Sequence, residues 1–389
     1  MKKQTGLTKQ IGLTEQRKAI LKGVKKIVVK IGSAVLTDNG ILHRPSIARL
    51  ADDIAFLIKK GYQTVIVSSG AIASGVGKMG LSRKPVTIPQ KQAVAAIGQG
   101  SLIFAYEEAF NAHRLLVAQI LLTREDLTNR QRYLNARNTL TTLLEWGIIP
   151  IINENDTVAV DEIKFGDNDN LSALIAHLID SDLLIVLTDT EGLYDRDPRE
   201  DPTACLIPVV DHIDGQVVDY TSKVSGQWGL GGMRSKIMAA RKVTASGIPV
   251  IVANGRKEGV LRELIKGKSL GTLFLPQRST LSRRKHWIAF TLKPQGEIVI
   301  DEGAQKALMG KGKSLLPSGI LEVRGRFGVG ACVRLIDQKA QVIGKGLVNY
   351  SASDIMKIRG LKTSEIEQRL EHKHSDEVIH RDNMVITGV

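Results

Sequence analysis

Two lysines and a glycine-rich turn are the residues of this chain whose types and spacing suit phosphoryl transfer. Lys30 lies inside an apolar run that leads to Gly32 and Ser33, and Lys236 ends the turn Gly229–Lys236, which opens a predicted helix. Backbone N–H groups of glycine turns at helix starts bind phosphate oxygens. Lysine ammonium groups neutralise the charge that develops between donor and acceptor, and such catalysis is mostly positioning and electrostatic stabilisation. These two regions therefore favour a kinase.

A strongly acidic segment, Asn153–Asn170, suits the molecule that would receive the phosphoryl group. It contains six acidic residues and one lysine, so a small ligand with an ammonium group would be held there, with Mg²⁺ on a nucleotide nearby. Each feature alone also has an ordinary structural interpretation. A buried lysine can be an ion-paired structural residue, and an acidic run can be a solvated loop.

The elements that must bring these residues together are short apolar runs alternating with segments of helical periodicity. This alternation predicts an α/β fold, an open, mostly parallel sheet with helices on both faces. Ligands of such sheets bind beyond the carboxyl ends of the strands, so the polar residues there are expected to meet. The predicted strands are Ile27–Ser33, Thr64–Gly70, Leu115–Ile120, Ile148–Asn153, Leu183–Asp189 and Ile248–Ala253.

The distribution of charged, polar and apolar residues along the chain predicts four segments. A basic N-terminal arm (1–25) precedes the α/β domain (26–276), and a polar, basic linker (277–285) follows it. The remainder (286–389) consists of short, glycine-punctuated, strand-like runs and predicts a small, mainly β module. The net charge of +14 lies at the two ends of the chain, because the central region is balanced. A basic tail leaves nucleic-acid contact open, although basic ends can also be merely solubilising.

Composition excludes several classes of protein. With 43% apolar and 24% charged residues the chain is not disordered as a whole. No apolar run approaches the roughly 18 residues that cross a bilayer, so no membrane role is expected. Two cysteines, Cys205 and Cys332, exclude a disulfide framework and a cysteine zinc site, and they fit a reducing, cytoplasmic location.

Several short motifs resemble nucleotide or metal sites but lack the residues that such sites require. The string Gly75–Gly80 matches GxGxxG, but no acidic residue at positions 95–105 could hold a ribose, so a loop is predicted instead of a dinucleotide site. Two Gly-Lys-Ser strings lack the upstream glycine of a P-loop. The histidines 372, 374 and 380 have no partner cysteines, so no metal site is predicted.

The motifs together resemble a known family. VVKIGSAVLT, IVSSGAIASG, LLTREDL, YLNAR, PIINENDTVA, KFGDNDNLSALIA, LTDTEGLYDRDP and GGMRSK occur in order between about Lys26 and Pro276. They resemble glutamate 5-kinases of the amino acid kinase superfamily, and GDNDNLSA with INENDTVA is the specific part. The tail strings GEIVIDEGA and SLLPSGI resemble a PUA domain. One departure is Leu230, since the family usually has threonine before the glycine pair.

The resemblance implies ATP-dependent phosphorylation of the γ-carboxylate of L-glutamate, the first step of proline biosynthesis, with ATP and Mg²⁺ as cofactors. It implies that Lys30, Lys236 and Asp169 are catalytic, with Asp169 organising the two lysines. Glutamate would be bound by Ser69, Asp156 and Asn168, with Asp167 supporting that site. ATP would be bound by Lys30, Gly32, Ser33, Thr188, Asp189, Leu230, Gly231, Gly232, Met233, Arg234, Ser235 and Lys236.

Two alternative functions remain compatible with the sequence. A kinase of the same fold could use aspartate, N-acetylglutamate, carbamate or UMP as its acceptor, although the INEND and GDNDN segments argue against this. An RNA-binding protein that acts through its PUA-like tail is the alternative from another class. The family also suggests proline as a feedback inhibitor and a homo-oligomer, a dimer or a tetramer.

Overall fold

The computed structural model describes residues 12, 14–81, 83, 85–159, 167–222, 232–277, 285, 288, 292–373 and 375–386. The chain divides into two compact units, Met1–Ser279 and Thr280–Val389. The predicted linker lies mostly outside the described residues. No helix within them is long and apolar enough to cross a membrane.

The first unit is built on one large sheet. Its eight strands in the described part of the chain run in the order β5-β6-β4-β1-β7-β9-β10-β8, and all neighbours are parallel except β9 and β10. This arrangement confirms the predicted open, mostly parallel sheet. The strands are β1 (Lys26–Ile31), β4 (Gln63–Ser68), β5 (Val117–Leu122), β6 (Ile149–Glu154), β7 (Leu183–Thr188), β8 (Val209–Val210), β9 (Val250–Asn254) and β10 (Thr272–Phe274), and a small hairpin holds β2 (Thr37–Asp38) and β3 (Ile41–Leu42).

Helices cover both faces of this sheet. Period-2 alternation along β1 sends Ile27, Val29 and Ile31 into one core, and Val28 into the core on the other face. Lys30 shares the face of Val28, where α8 and α10 pack. The helices of this unit are α1 (residues 14–21), α2 (Ser33–Leu36), α3 (Arg44–Lys59), α4 (Ala71–Met79), α5 (Ile88–Asn111), α6 (Arg124–Thr128), α7 (Arg130–Glu145), α8 (Asp167–Leu178), α9 (Gly215–Ser222), α10 (Met233–Thr244) and α11 (Val260–Ile265).

The GxGxxG string lies in a helix, so the prediction of a loop was wrong. It forms the C-terminal half of α4, and Gly80 ends that helix at a φ of 63°. Gly75 lets α4 approach α5 closely, because a Cβ there would lie 2.0 Å from the carbonyl oxygen of Val94. Gly98 of α5 has the same role, since its Cβ would lie 1.9 Å from the carbonyl oxygen of Ala71. Helix packing therefore overrides the weak helix propensity of glycine here.

The described part of the N-terminal segment packs against the first unit. The side chain of Arg17 is 1% exposed. Its guanidinium donates hydrogen bonds to the carbonyl oxygens of Lys268, Leu270, Pro208 and Gly271. Burial lowers the pKa of Arg17 to about 10, so the group remains charged at neutral pH. Residues 14–25 are thus fixed to the loop before β10 by a buried charge.

The second unit contains a smaller sheet and its own core. Its strands pair in the order β12-β11-β13-β14-β15, with β11 and β13 parallel and the other neighbours antiparallel. Helices Glu302–Lys311, Ala352–Ile358 and Ile366–Leu370 accompany the sheet. The module is therefore mainly β, as predicted, with more helix than the sequence suggested. Its strands are β11 (Gly296–Ile300), β12 (Ile320–Arg324), β13 (Cys332–Ile336), β14 (Val342–Leu347) and β15 (Met384–Ile386).

Candidate active site

One buried carboxylate joins the two predicted lysines. Asp169 Oδ1 lies 2.6 Å from Lys30 Nζ, and Asp169 Oδ2 lies 3.4 Å from Lys236 Nζ. The Asp169 side chain is fully buried, and both lysine side chains are less than a tenth exposed. A buried ion triad with two positive charges and one negative charge keeps a net positive charge in a region of low dielectric. Such a site attracts an anion.

Three elements bring this triad together. Lys30 points from β1 toward the face that α8 and α10 cover, and Asp169 lies in the first turn of α8. Lys236 lies in the first turn of α10, and Ser235 beside it donates a hydrogen bond from Oγ to Asp169 Oδ2 at 2.5 Å. The carboxylate therefore ties the starts of two helices to the central strand.

The charges of the triad shift its titration in defined directions. Burial opposes ionisation of Asp169, but the ammonium groups of Lys30 and Lys236 outweigh it, so the pKa of this carboxyl lies below its ordinary value. Burial also lowers the pKa of Lys236, and the carboxylate of Asp169 offsets this only in part. Asp169 is thus firmly ionised at neutral pH, whereas Lys236 loses its proton more readily than an exposed lysine does.

The start of α10 is the part of the predicted ATP loop that the structure describes. Gly232 is the exposed N-cap residue and carries no side chain, so no side chain caps the first turn, and Ser235 N donates to the carbonyl oxygen of Gly232 at 3.1 Å. Arg234 is exposed in this turn, whereas the side chain of Met233 packs against the hydrophobic core. A contribution of Met233 to a ligand would therefore come from its main chain. Leu230 and Gly231 lie outside the described residues.

The other predicted nucleotide residues follow β1 and β7. Gly32 N donates to the carbonyl oxygen of Leu187 at 3.1 Å, and a Cβ at Gly32 would lie 3.2 Å from that oxygen and 3.7 Å from Lys30 Nζ. Ser33 is exposed at the start of α2. Thr188 ends β7 and donates to Asp189 Oδ1 at 3.1 Å. The turn after β1 thus keeps the space beside Lys30 open.

The predicted glutamate residues Ser69 and Asn168 meet at the start of α8. Asn168 Nδ2 donates to Ser69 Oγ at 3.0 Å, to Asn153 Oδ1 at 3.0 Å and to the carbonyl oxygen of Ser68 at 3.4 Å. The Asn168 Oδ1 atom is buried and has no protein hydrogen-bond partner in the described part of the chain. Because Asn168 precedes Asp169 directly, the first turn of α8 serves both the polar cluster and the lysines.

Asp156 and Asp167, the two acidic residues predicted for the glutamate side, lie near residues that the structure does not describe. Asp156 lies in the turn after β6 and is half-buried. Asp167 is the first residue of α8. The segment 160–166 between them, which includes Lys164 and Gly166 of the GDNDN motif, lies outside the described residues.

The sequence does not predict two members of this arrangement and assigns a third to a different partner. Asn153 stands in the sequence only as the end of a strand, although its amide links Asn168 to the helix α5. Gln99, whose Oε1 accepts from Asn153 Nδ2 at 2.7 Å, is absent from the prediction. The prediction gives Ser235 to ATP, whereas its hydroxyl donates to Asp169. For Asn153 the polar residue at a strand end was an available signal, whereas a glutamine inside a long helix gave none.

Comparisons with known proteins agree with this geometry. The model of the amino acid kinase family matches residues 25–254, and the model of the PUA domain matches residues 296–370. The first match covers the strands and helices that carry the lysines, the carboxylate and the polar cluster. The second lies within the mainly β unit.

Curated relatives match almost the whole chain. The glutamate 5-kinase of Syntrophus aciditrophicus (strain SB) is 56% identical over 374 residues, which are 96% of this chain and 97% of that protein. The glutamate 5-kinase of Geobacter sulfurreducens is 51% identical over 372 residues, which are 95% of this chain and 100% of that protein. The chain therefore belongs to the amino acid kinase family and, within it, to the glutamate 5-kinases.

Proposed function

We propose that this protein transfers the terminal phosphoryl group of ATP to the γ-carboxylate of L-glutamate and forms L-glutamyl 5-phosphate. The observation that carries the proposal is the buried Lys30–Asp169–Lys236 triad directly beside the Ser69–Asn168 cluster. Adjacent residues of one helix turn thus serve an anion on one side and a polar ligand on the other. A kinase needs this juxtaposition, because donor and acceptor must react in line.

The nucleotide side consists of positive groups and of backbone donors at the start of α10. Lys30 and Lys236 would hold the phosphates, and the N–H groups after Gly232 would bind their oxygens. Gly32, Ser33, Thr188 and Asp189 surround the same space at the strand ends. These ammonium groups and backbone donors fit a nucleoside triphosphate, whose Mg²⁺ would be held chiefly by the phosphates themselves.

The acceptor needs no general base. A γ-carboxylate with a pKa of about 4.3 is ionised at neutral pH, so its oxygen can attack the γ-phosphorus directly. The bond from that phosphorus to the β–γ bridging oxygen breaks, and ADP leaves with the electron pair. The lysines would neutralise charge on the transferred group, and Asp169 would keep both ammonium groups in place.

A hydroxylamine trap tests the proposal. The protein is incubated with ATP, Mg²⁺, hydroxylamine and either L-glutamate, aspartate or N-acetylglutamate, and hydroxamate is measured. We expect product with glutamate alone and a loss of about a thousandfold in Lys30→Ala and Lys236→Ala, because each removes a charge from the reacting phosphoryl group. Arg241→Ala is the matched control, since Arg241 is exposed on the same helix as Lys236.

The outcomes separate the alternatives. Hydroxamate with aspartate or N-acetylglutamate, but not with glutamate, would keep a kinase and overturn the acceptor. Equal activity of the two lysine variants and Arg241→Ala would overturn the assigned site.

The proposal also includes inhibition by proline, a homo-oligomeric state and binding of RNA by the tail. Proline carries a carboxylate and a secondary ammonium group on its α-carbon, where glutamate carries a carboxylate and a primary ammonium group, so it would compete for the acceptor side and raise the apparent KM for glutamate. The active form would be a dimer or a tetramer. The tail holds more basic than acidic side chains, and binding of RNA there would weaken steeply with added salt.

A further inference from the structure

Three side-chain amides form a continuous chain from helix α5 to the acceptor side of the site. Gln99 Oε1 accepts from Asn153 Nδ2 at 2.7 Å, and Asn153 Oδ1 accepts from Asn168 Nδ2 at 3.0 Å. Asn153 is 3% exposed, so its hydrogen bonds are protected from water. This chain of side-chain amides connects α5, β6 and α8, and it ends at Asn168, the residue next to Asp169.

The direction of these hydrogen bonds is determined at the Asn168 end. A main-chain carbonyl can only accept, so the carbonyl oxygen of Ser68 identifies the Asn168 atom that faces it as the amide nitrogen. Asn153 must then turn its oxygen toward Asn168 and its nitrogen toward Gln99. Gln99 supports this direction by presenting its own oxygen. If Gln99 offered a donor instead, the Asn153 amide would be driven to the opposite orientation.

This direction decides what the site offers to a ligand. With the two hydrogens of its nitrogen shared among three acceptors, Asn168 keeps a buried oxygen, Oδ1, without a protein partner in the described residues. A buried acceptor of this kind suits a donor such as an ammonium group. Ser69 Oγ accepts from Asn168, so its own proton is free to be donated to a carboxylate.

We propose that Gln99 is a positioning residue that holds the amides of Asn153 and Asn168 in this direction, so that the site recognises an acceptor with a free ammonium group. This inference rests on the proposed function, because it concerns the glutamate side of the same site. Gln99 itself acts only through Asn153. Its loss would weaken acceptor binding and reduce the preference for an α-amino group.

Three variants of Gln99 test the role of its oxygen. Gln99→Glu keeps an acceptor toward Asn153, Gln99→Met removes it, and Gln99→Lys replaces it by a donor. Glu107→Met is the control, because Glu107 is exposed on the same helix. Steady-state kinetics are measured with glutamate and with glutarate, which has both carboxylates but no ammonium group, and binding of both compounds is measured by calorimetry.

The expected result is a split between KM and kcat. In Gln99→Met we expect the KM for glutamate to rise about tenfold, the effect of one hydrogen bond, with kcat and the KM for ATP within about twofold of the parent protein. Gln99→Lys should be weaker still, and Gln99→Glu should resemble the parent. The preference for glutamate over glutarate should fall in the Met and Lys variants, which a merely structural role would not produce.

The experiment distinguishes a failure of the proposed role of Gln99 from a failure of the proposed function. Equal KM values in Gln99→Met and Gln99→Glu, or an unchanged preference for glutamate over glutarate, would overturn the role of Gln99 while the parent protein still forms glutamyl hydroxamate. If the parent protein neither binds glutamate nor forms hydroxamate from it, the proposed function falls and this inference falls with it. Melting temperatures of all variants separate loss of folding from loss of recognition.

Discussion

At the scale of single residues, the site depends on one carboxylate between two ammonium groups. Asp169 leaves the pair of lysines with a net positive charge, and its own pKa lies below the ordinary value because those charges outweigh its burial. A fully neutralised cluster would not attract phosphates, and two unpaired buried ammonium groups would strongly disfavour folding. The 2:1 ratio of charges therefore combines folding stability with anion binding.

Lys236 gives the reaction a measurable dependence on alkaline pH. Burial lowers the pKa of its ammonium group below that of an exposed lysine, so the positive charge is lost at a lower pH than usual. We expect kcat at saturating substrates to decline on the alkaline side as this proton leaves. In Lys236→Arg the guanidinium stays protonated, so the rate at neutral pH should be lower but the alkaline decline should move upward by more than about one pH unit.

The pH profile of Arg241→Lys serves as the control for Lys236→Arg. That change affects an exposed position of the same helix, and its alkaline decline should coincide with that of the parent protein. An alkaline decline that stays in place in Lys236→Arg would show that a different group titrates.

At the scale of elements, the close contact of α4 and α5 positions the acceptor side of the site. Helix α4 begins just after Ser69 and Gly70, and α5 carries Gln99 next to Gly98. A Cβ at Gly98 would lie 1.9 Å from Ala71 O and 2.3 Å from the backbone nitrogen of Gly75, distances that no rotamer change relieves. Any side chain at position 98 must push the two helices apart.

We therefore expect Gly98→Ala to destabilise the protein by about 1–3 kcal/mol and to raise the KM for glutamate more than the KM for ATP. Gly100→Ala is a matched control, because it lies on the same helix and a Cβ there meets nothing within 4 Å. It should be neutral or stabilising by up to about 1 kcal/mol, since alanine favours helix over glycine. Urea denaturation followed by circular dichroism gives both values, and equal stability of the two variants would contradict this account.

The elements also show what the sequence could and could not predict. Strand ends were predictable because each apolar run stops where a polar residue begins, and this placed Lys30 and Asn153 at the correct edge of the sheet. The glycines of α4 predict a loop, because local glycine propensity says nothing about a helix that needs glycine for close contact. The link from Gln99 to Asn153 joins residues 54 positions apart, and no local pattern encodes such a contact.

At the scale of the whole molecule, the two units have separate hydrophobic cores. Among the described residues, the two clusters that flank the large sheet contain buried residues between Leu21 and Phe274, and the third cluster contains buried residues between Ile298 and Met384. The described lysines, Asp169 and the amide chain all belong to the first unit.

A chain that ends at Ser279 should accordingly fold and keep glutamate-dependent formation of hydroxamate, with kcat within about threefold of the full chain, because a domain with its own core folds alone. Calorimetry of the full chain should show two transitions, and the truncated chain should retain one of them. The matched full-length variant Ile355→Asp disrupts only the third cluster, since Ile355 is fully buried there. It should abolish one transition and leave activity intact. Loss of activity in both proteins, with the first unit still folded, would show that the second unit takes part in the reaction.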